Sequence, residues 1–243
     1  MFIGNGINIG NGISIISELP SIVTAGLQVN LFSAPSSGTS WLDTSGNDRH
    51  ATLQGTPTYV SDNGGGIRLN NASYTGTDYI SAPYNISTTT VTVEIVASFN
   101  PTAYWATIWG NENYNAGSGH LAFMNSSTAL NWGKTGVISA TITASNSIRH
   151  WAFVINGASV SLYLNGSQLG TSASMGTAQS SYVTTEFLFG ARHTNGGTGA
   201  TDKLNNSNSS LYPVFYQMRI YNTALAAGDV AQNYNAVRGT YGI

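Results

Sequence analysis

Glu94, in the stretch "TVTVEIVASF", is an acid set inside a strongly patterned apolar run, and it raises the question of acid–base chemistry. Glycoside cleavage by two carboxylates needs them about 5–9 Å apart across the scissile bond. The residues two positions either side of Glu94 are Thr92 and Val96, neither of them acidic. The chain has 10 Asp and Glu in all, scattered so that no two share a strand face at short spacing. There is no G-x-S-x-G nucleophile elbow, and the four histidines stand in unrelated contexts. A Ser-His-Asp set gathered from distant segments stays open to the fold. The expectation is a protein that is not an enzyme, with no catalytic residue assigned.

A second chemistry is metal binding. Asp43 and Asp48 lie in "LDTSGNDRH", and Asp62 lies in the next turn. Calcium takes six or more oxygens, usually several of them carboxylate, so these acids allow at most a weak calcium site. The competing reading is that Asp43 closes an Asx-turn on its own backbone, as Asp does readily before Ser-Gly. With no cysteine, disulfides and thiolate metal sites are excluded, and no other cofactor is expected.

A third is sugar recognition, which stacks a ring on an exposed aromatic and surrounds it with amides and hydroxyls. "NPTAYWATIWGNENYNAGSGH" offers Trp105 and Tyr114 with Asn113, Asn115 and His120, the candidate glycan-binding set. Trp109 is expected in the core, as are Trp41, Trp132 and Trp151, since large aromatics mostly end up buried.

The elements that must position these residues are strands. Apolar residues make up 41% of the 243 and charged residues only 7%, against about a quarter in a typical soluble domain. The surface must therefore be built from Asn, Ser, Thr and Gly. A net charge of −2 provides no basic footprint for nucleic acid or anionic lipid. No Lys or Arg precedes Arg49, and no window approaches the ~18 apolar residues of a membrane span, so neither a secretion signal nor membrane insertion is expected. The apolar period is two almost throughout. "HWAFVIN" and "SVSLYLNG" are joined by Asn156-Gly157, and Asn165-Gly166 follows, both strong hairpin signals. "HTNGGTGATDKLNNSNSS" reads as a long exposed loop. One helix is expected, carrying Val230, Tyr234 and Val237 at helical spacing and ending at Gly239. A dozen or so strands with one short terminal helix is an all-β, two-sheet sandwich.

The stretches "SIVTAGLQVNLFS", "GTSWLDTSGNDRHATLQGTPTY", "RHWAFVINGASVSLYLNGSQLGT" and "MRIYNTALAAGDVAQNYNAVRGTYGI" occur in order over most of residues 20–243. They resemble the concanavalin A-like, laminin-G-type domains found in bacteriophage virion structural proteins. The resemblance implies a jelly roll of two antiparallel sheets. Leu31-Phe32-Ser33 stands where that family commonly has "LDA", and Asn70-Asn71 where it has "FDG"; both changes remove an acid and weigh against calcium. Glucanases of this fold carry a tight E-x-D-x-E strand, which the surroundings of Glu94 do not match.

Residues 1–19 read as an arm distinct from the jelly roll at 20–243. "IGNGINIGNGISI" repeats I-G-N-G-I, and in an extended ribbon one face would hold Ile3, Ile7, Ile9, Ile13 and Ile15. Such a ribbon is unstable alone. It could turn on its Asn-Gly pairs, fold back on its own sandwich, or add as a strand to a neighbour; the last is favoured. The reading that combines these points is a virion structural protein made in the host cytoplasm without a secretion signal and placed on the virion surface, as capsid decoration or tail fibre. Its partners would be other virion proteins, sister chains (a trimer among the options), or host-surface glycans. The alternative is a stand-alone lectin-like carbohydrate-binding module.

Overall fold

The computed structural model of the protein describes residues 7–9, 13–15, 21–100, 106–113, 118–126, 129–133, 138–142, 145–175, 186–193 and 199–243. Two antiparallel sheets form a jelly-roll sandwich. The first has eight strands in the spatial order Ile138–Thr141, Ala129–Gly133, Ser118–Ser126, Ala106–Asn113, Phe187–Phe189, Tyr79–Ala82, Ala51–Gln54 and Ser40–Trp41. The second runs Ser167–Gln168, Ser159–Leu164, Ser145–Asn156, Thr90–Phe99, Val214–Tyr221, Gly66–Arg68 and Thr58–Val60. Two further strands join it, Ala173–Ser174 on Ser159–Leu164 and Leu27–Leu31 on Val214–Tyr221.

Period-two alternation turns one row of each sheet inward, and aromatic side chains join the two rows. Trp109 stacks on Phe187 at 5.3 Å and meets Phe153 of the opposite sheet edge-on at 5.5 Å. Phe189 reaches Phe215 at 6.5 Å, and Phe99 stacks on Trp151 at 5.3 Å. Trp41, Trp109 and Trp151 are buried as expected; Trp132 lies in the Ala129–Gly133 strand.

The hairpin signals hold for a backbone reason. Leu164 pairs with Ser167 across Asn165 (φ 47°) and Gly166 (φ 76°), the two positive dihedrals of a type I′ turn. Asn156 pairs with Ser159, and Gly157 (φ 62°) takes the first central position.

Two expectations change. The helix spans Ala227–Tyr241 and passes through Gly239; it stops at Gly242 (φ 68°), with the Ile243 N–H returning to the Arg238 carbonyl at 3.0 Å. Packing outweighs the glycine, because the extra residues carry Tyr241 onto Tyr216, 5.9 Å between ring centroids. The supposed exposed loop is interior in part: His193, Lys203, Leu204, Asn205 and Asn206 are buried, while residues 207–210 are exposed. Thr107 N donates to the Asp202 carbonyl at 3.1 Å and Leu204 N to Gly190 at 2.8 Å, so this segment bridges alongside the Ala106–Asn113 strand and seats Leu204 in the core. Gly110 lets it approach, since a Cβ there would stand 2.9 Å from that of Arg192.

Ile7–Ile9 and Ile13–Ile15 pair with each other, Ile7 opposite Ile15 and Ile9 opposite Ile13, in a two-stranded sheet of their own. The turned-back form of the opening segment is therefore the one adopted there, in place of a continuous ribbon; Ile3 lies outside the described residues.

Phe187 touches both Trp109 and Phe189, so Phe187→Ala removes contacts at the centre of the sandwich. A loss of about 3–5 kcal/mol is expected, read as a lowered urea midpoint with an unchanged slope.

Candidate functional site

The expected glycan-binding set does not assemble among the described residues. Trp105, Tyr114 and Asn115 lie outside them, and Asn113 ends the Ala106–Asn113 strand. His120 is a correction: it is fully buried and lines neither cleft of the surface. It pairs in register with Asn111 and shares the inward row of Ala122 and Met124, which alternation dictates once Trp109 and Ala122 face the core. Burial alone pushes its imidazole down to about 4.

The three acids of the calcium set are not gathered into one group either. Asp43 follows the Ser40–Trp41 strand of the first sheet, whereas Asp62 sits in a turn between two strands of the second; Asp48 and Asp62 are exposed. Among the described residues no three metal-ligating side chains come together. Asp43 has internal work instead. Its Oδ1 accepts from the N–H groups of Asn30 (2.8 Å) and Ser45 (2.9 Å), its Oδ2 from Ser45 Oγ (2.8 Å) and Arg49 N (3.0 Å). Burial alone would raise its carboxyl, but these donors outweigh it and hold the group below its ordinary value.

Glu94 is not a reactive acid. Alternation turns it to the outer face of the second sheet, where the C-terminal helix covers it, and it is 1% exposed. Its Oε2 accepts from Asn233 Nδ2 of the helix (2.9 Å) and Arg219 Nη1 of the neighbouring strand (3.3 Å), while His150 Nε2 stands 3.6 Å from Oε1. Burial would push its carboxyl up; His150, Arg219 and Asn233 together reverse that, and Glu94 stays ionised. Arg219 Nε donates to Asn30 Oδ1 at 3.2 Å, carrying the cluster on to the Leu27–Leu31 strand. The helix is further tied to Val23, whose N–H donates to Asn233 Oδ1 at 2.7 Å.

Beside this cluster the surface opens. The Val214–Tyr221 strand pairs on one edge with Gly66–Arg68 at Val214 and Phe215, then with Leu27–Leu31 from Met218 onward. Between those partners its register against Thr90–Phe99 shifts, from Phe215 opposite Ala97 to Gln217 opposite Val96. The bulge turns both Tyr216 and Gln217 to the helix side. A cleft of about 250 Å³ results, lined by Ile22, Phe32, Gln217, Arg219, Val237 and Thr240 among others. A second cleft of about 190 Å³ is lined by Asp62, Arg68, Ser98, Asn146, Tyr212 and Tyr216. Neither was read from the sequence. The available signals were the polar pair Gln217 and Arg219 inside an otherwise apolar strand, and the aromatic Phe32 where the resembled family has an acid.

No protein-family model and no curated protein matches the chain. Solved structures share its fold. The receptor-binding domain of botulinum neurotoxin C/D mosaic serotype matches with a TM-score of 0.62 at 15% identity, over 87% of this chain and 51% of that one. A botulinum neurotoxin type C structure, described by the dependence of that toxin's cell entry upon interaction with two ganglioside molecules, matches at 0.64 and 12%, over 87% and 51%. The binding domain of Paraclostridial Mosquitocidal Protein 1 matches at 0.58 and 16%, over 86% and 52%. This chain thus spans about half the length of each. The likeness is one of fold.

The buried groups give stability a defined pH dependence. His120, lowered from 6.5 to about 4, is neutral in the folded state, so its contribution is complete above 6.5 and is lost as pH falls to about 4. His193 shifts in the same direction, chiefly by burial. Asp43 and Glu94, lowered from 3.8 and 4.5, contribute stability that is full above those values and is lost as pH falls through their folded ones. Urea midpoints should therefore decline in two stages, and His120→Gln should shrink only the first; an unchanged slope between pH 6.5 and 4 would contradict this account.

Proposed function

We propose that this protein is a non-catalytic, lectin-like recognition module. The observation that carries the reading is the division of labour on the outer face of the second sheet. Its central carboxylate, Glu94, is sealed under the helix and held by two donors, while the open clefts beside it are lined by amide, hydroxyl, guanidinium, aromatic and aliphatic side chains with a single carboxylate, Asp62. A glycosidase needs the reverse, two accessible carboxyls about 5–9 Å apart. A sparsely charged, amide- and hydroxyl-rich chain suits ligands bound through hydroxyl groups and apolar ring faces. Neighbours of the same fold include a neurotoxin structure described with gangliosides and a binding domain in complex with rat synaptotagmin II, which supports recognition by analogy of fold alone. Applied to a broad glycan array, the full chain should bind a subset saturably; a blank array would overturn the reading.

A second reading, a virion structural component anchored by its N-terminal segment, is favoured by the hairpin at residues 7–15. It belongs to neither sheet of the sandwich and opposes isoleucines at both of its paired Ile positions. A two-stranded hairpin is marginal by itself and gains stability from a surface to lie on. Sister chains or other particle proteins would supply that surface. By light scattering the full chain should be a defined oligomer, and a version lacking residues 1–18 a folded monomer; two monomers would count against self-assembly.

A further inference from the structure

Gln217 breaks a rule that the rest of its neighbourhood obeys. It is 2% exposed, and neither its Nε2 nor its Oε1 has a hydrogen-bond partner among the described residues. Leaving a buried donor or acceptor unmet costs about 1–3 kcal/mol, and native structures rarely keep such groups without a use. The neighbouring polar groups are already engaged: Arg219 with Glu94 and Asn30, and Asn30 Nδ2 with Thr44 at 2.9 Å. Gln217 alone stands at the floor of the 250 Å³ cleft, placed there by the bulge.

The walls define what would fit. Phe32 is 41% exposed and with Ile22 offers an apolar side; Thr240 supplies a hydroxyl at the rim. An amide presents one donor and one acceptor side by side, the complement of two adjacent hydroxyls. The Arg219 charge is already balanced by Glu94, so nothing in the cleft demands an anion. The volume lies under the ~300 Å³ at which drug-sized sites begin, which limits the occupant to one ring. The geometry points to a single-ring site for a neutral pyranose in the cleft between the C-terminal helix and the Leu27–Leu31 strand, with Gln217 bonding two adjacent hydroxyls and Phe32 covering the ring's C–H face. This assignment rests on the recognition reading above and gives it a location.

The experiment titrates the full chain by calorimetry with the methyl glycosides of glucose, galactose, mannose and N-acetylglucosamine, alongside the glycan array. At least one should bind, and Gln217→Leu should weaken it by ~10-fold or more. Because that change removes an unmet buried amide, the melting temperature should hold or rise, which separates lost binding from lost folding. Phe32→Ala, at an exposed position, should also weaken binding, whereas Tyr212→Ala in the second cleft should leave it intact. A positive array with less than about threefold loss in Gln217→Leu, or with no response to any of the four glycosides, overturns this site and leaves the recognition reading standing. A blank array removes both.

Discussion

Arg219 can keep its charge in the middle of a covered sheet face only because Glu94 lies one strand away. Stripping two ions of water is costly, and the pair tolerates burial because each member has a second partner, Asn233 on the carboxylate and Asn30 on the guanidinium, with His150 3.6 Å from the other carboxylate oxygen. Four segments far apart in sequence meet there: the Leu27–Leu31, Thr90–Phe99 and Val214–Tyr221 strands and the C-terminal helix. Removing either charge would leave the other stranded. The pair therefore fixes where the helix lies, and with it one wall of the cleft that Gln217 floors. Asp43 extends the same logic outward, since it holds Asn30 from the opposite end.

Much of this fold was legible in the sequence because its strands obey a local rule. Alternation in "TVTVEIVASF" and the short apolar run "HWAFVIN" report strands from local pattern alone, and Asn165-Gly166 fixes its turn through backbone dihedrals alone. Asp43 was legible for a similar reason, its Asx-turn being settled within a few residues. What escaped depends on distant partners. His120 sits in a run rich in Asn and Gly and looks exposed; only its register against Asn111 turns it inward. The polar run from His193 to Ser210 looks like solvent-exposed loop, yet its residues 203–206 are buried and its backbone bonds to Thr107, Gly190 and Asn71, which no periodicity encodes. Gln217 is the hardest case. Its orientation follows from a bulge, and a bulge is a disagreement between two strands that neither reveals alone.

The surface chemistry has a further implication. With so few charges, and with Glu94 and Arg219 already paired in the interior, association cannot lean on long-range attraction or on ion pairs that salt screens. Recognition would come from close fit and from hydrogen bonds made at short range. That suits a rigid sheet better than a mobile loop, and here the cleft walls are a strand, a helix and the seam where one strand exchanges partners.

The order in which the chain builds its second sheet carries one more consequence. Val214–Tyr221 lies in the interior of that sheet, flanked by Thr90–Phe99 on one side and by Leu27–Leu31 and Gly66–Arg68 on the other, yet it is the last strand to be made. Until it is made, Leu27–Leu31 has no strand partner, and Gly66–Arg68 and Thr90–Phe99 each keep one edge open. Each ribosome-bound chain thus passes through an interval in which half a sandwich displays two unpaired ladders, the condition under which neighbouring nascent chains join edge to edge. A completed molecule closes that gap from within, with its own final strand, and locks it with the helix that follows.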